Sequence, residues 1–289
     1  MKENNSIKIS EILKAKNILD GKIVTTPLIY DFFLSEKFGA KIFYKAENIQ
    51  RTGSFKIRGA YNKIYNSIKN DKPAGILAWS SGNHAQGVAE AANIFNIKST
   101  IVMPKDAPQN KISGTKSRKA NIIFYNRKTE NREDIGNSIA RKNNLLIIPP
   151  YDDPDVIAGQ GTIGLEIIEQ IAKYNLYPDK VLVPTGGGGL IAGIATAIKN
   201  KFDNANIYSI EPNKFADYSK SIKNKKIYKN NMNNQSICDS LLANQPGEMT
   251  FNINKNLIKK GLTVTDNQVL KAIRYAYMTL GLILEPGGA

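Results

Sequence analysis

Lys180-Val181-Leu182-Val183-Pro184-Thr185-Gly186-Gly187-Gly188-Gly189-Leu190-Ile191-Ala192-Gly193-Ile194-Ala195 decides the fold of this chain. An apolar run of strand length gives way to four glycines and then to an apolar run of helical length. That order reads as buried strand, tight turn and helix. Residues without Cβ free the backbone. Their N–H groups can then converge on an anion at a helix N-terminus, where the dipole adds to the attraction. The expected guest is a phosphate.

Upstream of this stretch, from Ala74 on, short apolar runs alternate with helix-length segments. The runs are Ile76-Leu77-Ala78-Trp79, Ser99-Thr100-Ile101-Val102-Met103, Ile122-Ile123-Phe124-Tyr125 and Leu145-Leu146-Ile147-Ile148. Such alternation implies right-handed crossovers and parallel sheets. Pro149-Pro150 and Asp152-Asp153-Pro154 punctuate the chain, and a helix from about Val156 to Tyr174 leads to the glycine turn. Downstream, Asn206-Ile207-Tyr208-Ser209-Ile210 reads as the next strand, and the polar segment from Asn213 to Gln235 as a long surface loop.

The 289 residues suggest two domains, and 42% apolar with 22% charged residues is a globular balance. No apolar run reaches the ~18 residues of a membrane helix. Met1-Lys2-Glu3-Asn4-Asn5-Ser6 lacks the apolar centre of a signal peptide. The single cysteine, Cys238, excludes an internal disulfide, and the chain is expected to be cytoplasmic. The net charge of +15 raises nucleic-acid binding as a possibility. The lysines are spread along the chain among many Asn and Ile, however, and the densest run, Ser221 to Lys226, has no interleaved aromatics. It reads as a solvated loop, and no nucleic-acid partner is expected.

Two further constellations carry chemistry. In Arg51-Thr52-Gly53-Ser54-Phe55-Lys56-Ile57-Arg58-Gly59-Ala60-Tyr61, Ser54 is a good N-cap for a helix starting at Phe55. Lys56 then falls in the first turn, where the positive helix end disfavours an ammonium. A buried lysine there would have a lowered pKa suited to Schiff-base chemistry. Any one lysine of a basic chain is ordinarily a surface residue, and it is the small neighbours on both sides that weigh for burial here. Trp79-Ser80-Ser81-Gly82-Asn83-His84-Ala85-Gln86-Gly87 is a second strand, glycine turn and helix start. Ser81, Asn83 and free N–H groups could hold a carboxylate or a ring hydroxyl. His84 is the only histidine, more often a packed residue than a general base. With one histidine and one cysteine, neither a His/Cys metal site nor a Cys–His dyad can be built.

Taken together, Ser54 to Ala60, Ser80 to Gly87 and the tetraglycine, in this order and spacing, resemble the fold-type II enzymes that use pyridoxal 5′-phosphate (PLP). The branch is that of the threonine and serine dehydratases and serine racemase. Further matches are Val102-Met103-Pro104 with Ala107-Pro108, Ile157 to Thr162, and Glu285-Pro286-Gly287-Gly288-Ala289. The resemblance covers essentially the whole chain. It implies a two-domain, tryptophan synthase β-like α/β fold with parallel-rich twisted sheets and helices on both faces. Residues 72–150 would form a small domain, and residues 1–71 with 151–289 a large, PLP-binding one.

It further implies that Lys56 carries the cofactor as a Schiff base and moves the substrate Cα proton. Phe55 would flank the PLP ring, Asn83 would bond its 3-hydroxyl, and Gly186, Gly187, Gly188 and Gly189 would hold the phosphate. Ser80, Ser81, Gly82, Asn83 and His84 would take the substrate carboxylate, with Ser81 the counterpart of the racemase's second acid/base. The implied activity is a threonine ammonia-lyase: L-threonine to 2-oxobutanoate and ammonia, and L-serine to pyruvate. The alternatives are serine racemase and 3-hydroxyaspartate dehydratase. A homodimer or homotetramer is common among such enzymes.

Tyr151, where racemases place a small polar residue, favours the dehydratase. Glu211 and Asp217, with a backbone carbonyl near Phe215, resemble a Mg²⁺ or Ca²⁺ site of metal-activated members. The resemblance also implies a further strand and helix after Ala289, carrying the Ser or Cys that contacts the ring nitrogen. No regulatory domain is visible. Lys119-Ala120-Asn121 departs from the Gly-Ala-acid of relatives, a change expected to alter surface packing only. One rival remains: Gly187-x-Gly189-x-x-Ala192, with Glu211 ending the next strand, satisfies a dinucleotide fingerprint and would make a Rossmann dehydrogenase. That reading leaves Lys56 and Asn83 without a task.

Overall fold

A computed structural model describes residues 6–70 and 73–289. Met1 to Asn5, where a leader was sought, and Asp71 and Lys72, at the expected start of the small domain, lie outside the described residues. The chain begins with α1 (Ile9–Leu19), β1 (Leu28–Tyr30), α2 (Phe32–Phe38), β2 (Phe43–Lys45) and α3 (Lys56–Asn70). An alternating series follows: β3 (Gly75–Trp79), α4 (Asn83–Ile94), β4 (Ser99–Pro104), α5 (Gln109–Lys116), β5 (Asn121–Tyr125), α6 (Arg132–Asn143) and β6 (Leu145–Ile147). Then α7 (Pro154–Ala172) leads to β7 (Lys180–Pro184), α8 (Gly189–Lys201), β8 (Asn206–Pro212), α9 (Asp217–Asn224), α10 (Glu248–Leu257), β9 (Ile258–Val264) and α11 (Asp266–Leu280).

The alternation produces the parallel sheets expected of it. One has the order β5-β4-β3-β6 and the other β7-β8-β9, and every pair in both is parallel. β1 and β2 form a small antiparallel pair. In the four-stranded sheet the chain steps outward from β3 to β5, then returns to place β6 on the other side of β3. The loops that leave β3 and β6 therefore diverge and open a crevice between them. Apolar residues of β3 and β4 (Ile76, Ala78, Ile101, Met103) are buried with Ile64, Val88 and Ala89 of α3 and α4. Val183 and Ile207 of the second sheet are buried with Ile163, Ile191, Ile194 and Ile198 of α7 and α8.

Helix α7 runs between α3 and α8 at close range. A Cβ on Gly193 of α8 would stand 2.5 Å from both Gly161 N and Ile157 O of α7. A buried ionic cluster ties the N-terminal segment to this helical layer. Arg58, 0% exposed, donates from Nε and Nη2 to Glu47 (2.9 and 2.8 Å), and from Nη1 to Glu166 (2.5 Å) and Thr162 Oγ1 (3.1 Å). Lys45 completes the charge balance by donating to Glu166 Oε2 at 2.5 Å. Among the described residues no helix is long and apolar enough to cross a membrane.

Three local expectations change. Helix α3 begins at Lys56, not Phe55, and Ser54 Oγ is buried without a hydrogen-bond partner instead of capping it. The polar segment from Asn213 to Gln235 is not all loop. It contains α9, whose buried face is made of Asp217, Tyr218 and Ser221, and polar residues on the inward face hid the periodicity. Lys119 is a backbone matter more than a packing one. It sits at φ 62°, in the left-handed region that glycine occupies at least cost. Asn96, Asn144, Asn175 and Lys225 do the same at φ between 51° and 55°, and the five follow or cap α4, α5, α6, α7 and α9.

Gly193→Ala tests the α7–α8 approach. Alanine gains about 1 kcal/mol of helix propensity. A methyl group pressed on backbone that cannot retreat falls in the upper part of the overpacking range, a loss of about 2–3 kcal/mol. The expected net is a destabilisation of about 1–2 kcal/mol in urea unfolding, and a variant at least as stable as the parent would show that the helices do not meet there.

Candidate functional site

The crevice predicted by strand order is where the sequence motifs meet. Lys56 begins α3, Asn83 begins α4 and Gly189 begins α8, so three positive helix ends face one cavity of about 1950 Å³. Its walls include Phe55, Lys56, Ser80, Ser81, Gly82, Asn83, His84 and the four glycines Gly186 to Gly189. The expected lysine, carboxylate loop and anion loop are thus brought together. Glu211, Phe215 and Asp217 are not on these walls.

The lysine is one part of the cavity wall. Lys56 Nζ donates to Pro150 O at 2.7 Å and stands 5.3 Å from the centre of the Phe55 ring. Burial brings its pKa down from 10.5 to about 8, against the opposing charge of Glu285. Asn83 is held on both sides of its amide. Lys111 Nζ donates to Oδ1 at 2.7 Å, and Nδ2 donates to Glu285 Oε1 at 2.5 Å. An ammonium can only donate, so the amide orientation is determined. Lys111 and Glu285 also pair at 3.4 Å. Neither was singled out from sequence. Glu285 opens a recognised motif, but nothing local says that it reaches Asn83, and Lys111 is one cation among many.

His84 is 4% exposed, and its Nε2 lies 2.9 Å from Ile148 O. A carbonyl can only accept, so Nε2 carries the proton and donates. Burial and the nearby Lys56 ammonium bring its pKa down to about 3. The ring is neutral, anchors the start of α4 to the strand end at Ile148, and has that nitrogen unavailable to a substrate. Ser80 Oγ accepts from Gly82 N–H at 3.1 Å, which fixes the turn into α4.

The glycine loop is another part of the wall. None of the N–H groups of Gly186, Gly187, Gly188 and Gly189 donates to a protein acceptor among the described residues. The requirement for glycine comes from what stands against the loop. A Cβ on Gly187 would meet the Tyr151 ring at 2.3 Å, and one on Gly188, at φ 95°, would meet Tyr218 Oη at 2.3 Å. At Gly186 the nearest atom would be 3.4 Å away, so the first glycine is the least constrained. Tyr151 and Tyr218 were not recognised from sequence as the backing of this loop, because they come from distant parts of the chain.

Outside the cavity, Glu211 and Asp217 are each 1% exposed. Glu211 accepts from the N–H groups of Tyr218 (2.8 Å) and Ser219 (2.6 Å), and from Ser219 Oγ. Asp217 Oδ1 accepts from Asn230 Nδ2, while Oδ2 is buried without a partner. Burial pushes both carboxyl groups upward, Glu211 also through the charge of Asp217. Glu211 therefore faces the start of α9 and is not presented to the glycine loop as the acid of a dinucleotide site. Among the described residues no three His, Cys, Asp or Glu side chains form a metal cluster.

The family described as pyridoxal-phosphate dependent enzyme matches residues 19–289. An L-threo-3-hydroxyaspartate ammonia-lyase of Saccharomyces cerevisiae is 38% identical over 276 residues, which are 96% of this chain and 83% of the relative. The crystal structure of a T.th. threonine deaminase superposes with TM-score 0.92 at 34% identity, covering 97% of this chain and 89% of the other. A maize serine racemase structure superposes with the same TM-score, 0.92, at 32% identity, covering 98% and 84%. The expected fold class holds, and the dehydrogenase reading is set aside.

The depressed pKa of Lys56 has a sign that can be checked. Between pH about 8 and 10.5 the unfolded chain holds a proton that folded Lys56 has lost, so this group's contribution makes folding more favourable as pH rises through that window. In cofactor-free protein, reductive methylation of Lys56 followed by peptide mass spectrometry is expected to reach half its limiting rate near pH 8. A profile no different from that of exposed lysines would remove the argument from burial.

Proposed function

As the chain belongs to the pyridoxal-phosphate dependent enzyme family, we propose that it is an ammonia-lyase of 3-hydroxy amino acids, with L-threonine as its substrate and L-serine as a second one. One observation carries this reading. A half-buried lysine of lowered pKa and four consecutive N–H groups that have no acceptor among the described residues line the same cavity. The residues fit the cofactor. The free N–H groups at the start of α8 suit a phosphate, the Lys56 amine suits an aldehyde, Phe55 offers an apolar wall, and the Asn83 amide can meet a ring hydroxyl.

Bound pyridoxal phosphate supplies an electron sink for a carbanion at the substrate Cα. The chain's own residues do the rest. Gly186 to Gly189 bind the phosphate. The turn Ser80–Asn83 and the positive end of α4 bind the substrate carboxylate, with His84 holding that turn in place. Uncharged Lys56 takes the Cα proton, the β-hydroxyl leaves with a proton as water, and the enamine set free takes up one water to give a 2-oxo acid and ammonia. Ser81 stands in the cavity as the acid/base of the racemase alternative. Residues 72–150 act as the small domain over residues 1–71 and 151–289, in a cytoplasmic homodimer or homotetramer. Glu211, Asp217 and the Phe215 carbonyl form a Mg²⁺ or Ca²⁺ site. Two buried acids and the unpartnered Asp217 Oδ2 suit a hard cation.

A second substrate reading has its own observation. Lys111 and Arg132 line the cavity. Lys111 reaches the carboxylate loop at Asn83, and a second carboxylate could draw it from Glu285, which favours L-threo-3-hydroxyaspartate over L-threonine. The deciding experiment is 2-oxo acid release from L-threonine, L-serine and L-threo-3-hydroxyaspartate, with D-serine formation from L-serine followed in parallel. Faster 2-oxobutanoate release supports the first reading, faster oxaloacetate release the second, and D-serine without 2-oxo acid would overturn both.

Lys56→Ala is expected to lose turnover by at least about 10³-fold, together with the near-visible absorbance of the bound cofactor. Retained turnover would sink the assignment. Glu211→Ala is expected to lose activation by Mg²⁺ or Ca²⁺, and equal rates with and without chelator in the parent protein would remove the cation site.

A further inference from the structure

The glycine loop is held from behind, and the hold falls on its carbonyls. Gly187 O accepts from Thr250 Oγ1 at 2.7 Å and from Gly247 N–H at 3.1 Å. Gly188 O accepts from Asn254 Nδ2 at 3.1 Å and from Ala192 N–H at 3.0 Å. Asn254 Nδ2 also donates to Tyr218 Oη at 2.6 Å. Gly188 O can only accept, so Nδ2 must face it. Thr250 and Asn254 are both 0% exposed and stand four residues apart on α10, hence on one face. The start of α10 is itself fixed, because Asp152 accepts from the N–H groups of Glu248 and Thr250 at 3.0 Å each.

Consecutive glycines have little preference of their own for one orientation of a peptide plane over its reverse. Something outside the loop must choose. A trans peptide is planar, so the C=O of one residue and the N–H of the next point opposite ways. Drawing the Gly187 and Gly188 carbonyls toward α10 turns the N–H groups of Gly188 and Gly189 away from it. Those N–H groups have no protein acceptor among the described residues, and both glycines line the cavity. We infer that Thr250 and Asn254 are positioning residues for the cofactor's phosphate: they never touch it, but they set the two peptide planes whose N–H groups bind it. The inference rests on the reading of the glycine loop as a phosphate cradle.

The test compares two ligands, pyridoxal phosphate and pyridoxal, which share the ring and the aldehyde and differ in the phosphate. Binding is read from quenching of Trp79, the single tryptophan, which lines the cavity. The parent protein is expected to prefer pyridoxal phosphate strongly. Thr250→Val and Asn254→Leu are each expected to weaken pyridoxal phosphate binding about tenfold, the scale of one misaimed hydrogen bond to a charged group, with pyridoxal changed by less than about twofold. Thr250→Ser, which keeps the hydroxyl, is expected to bind like the parent. Equal losses for both ligands, or no loss of pyridoxal phosphate affinity, would overturn the positioning role. Equal affinity of the parent for both ligands would instead overturn the cradle reading beneath it. If Thr250→Val does not fold, the ligand ratio of Asn254→Leu decides.

Discussion

The site depends on four consecutive residues that grip four different elements. Pro150 O accepts from Lys56 Nζ at the head of α3. The Tyr151 ring lies against Gly187, and its backbone lies under Gly189. The Asp152 carboxylate accepts from the first turn of α10. Asp153 Oδ1 accepts from Asp155 N–H and Val156 N–H at 3.0 and 3.1 Å and so caps α7. Lys56 and the glycine loop are therefore both referred to one short stretch of backbone. A shift of that stretch would move both at once, and the distance between an aldehyde and a phosphate on one small ring leaves little slack for such a shift.

Behind this stretch, the buried charges of Arg58, Glu47, Glu166 and Lys45 make α3 part of a rigid layer. Such a cluster is not a large source of net stability, because desolvation offsets much of the attraction. Its effect is asymmetric: removal of one member leaves one uncompensated charge inside the cluster, at about 3–5 kcal/mol. Arg58 lies two residues beyond Lys56, so the same contacts that close the N-terminal segment onto α7 also fix the first turn of α3, where Lys56 sits.

What the sequence made legible was local. The strands around Ile76, Ile101, Ile122, Leu145 and Val181 could be read because parallel strands are short, continuous apolar runs. Only the first two are buried along most of their length, and the expected buried strand before the glycines leaves Leu182 59% exposed. The glycine loop could be read because strand, turn and helix are contiguous. The β1–β2 pair could not, since three half-buried residues per strand carry no period. Helix α9 was hidden because its inward face is Asp217, Tyr218 and Ser221 rather than aliphatic. Ser54 looks like a cap in sequence, yet the chain turns into α3 by another route and leaves its hydroxyl buried. In the site, the turns that carry Lys56, Asn83 and the four glycines came from contiguous motifs, whereas the side chains that hold them did not. Glu285 lies 202 positions from Asn83, and Thr250 lies 63 from Gly187. No local pattern records such pairings.

The left-handed residues at the helix ends bear on how this molecule can change over evolutionary time. Lys119 and Lys225 each hold a backbone that glycine would hold with less strain, by about 1 kcal/mol apiece, and Asn96, Asn144 and Asn175 hold the same backbone at lower cost because a short polar side chain tolerates it. None of the five lines the cavity. The chain thus keeps a reserve of folding free energy in places that have no part in its chemistry. Thermal tolerance and substrate choice can be adjusted along separate axes, the one at helix ends and the other in the crevice, without either adjustment spoiling the other.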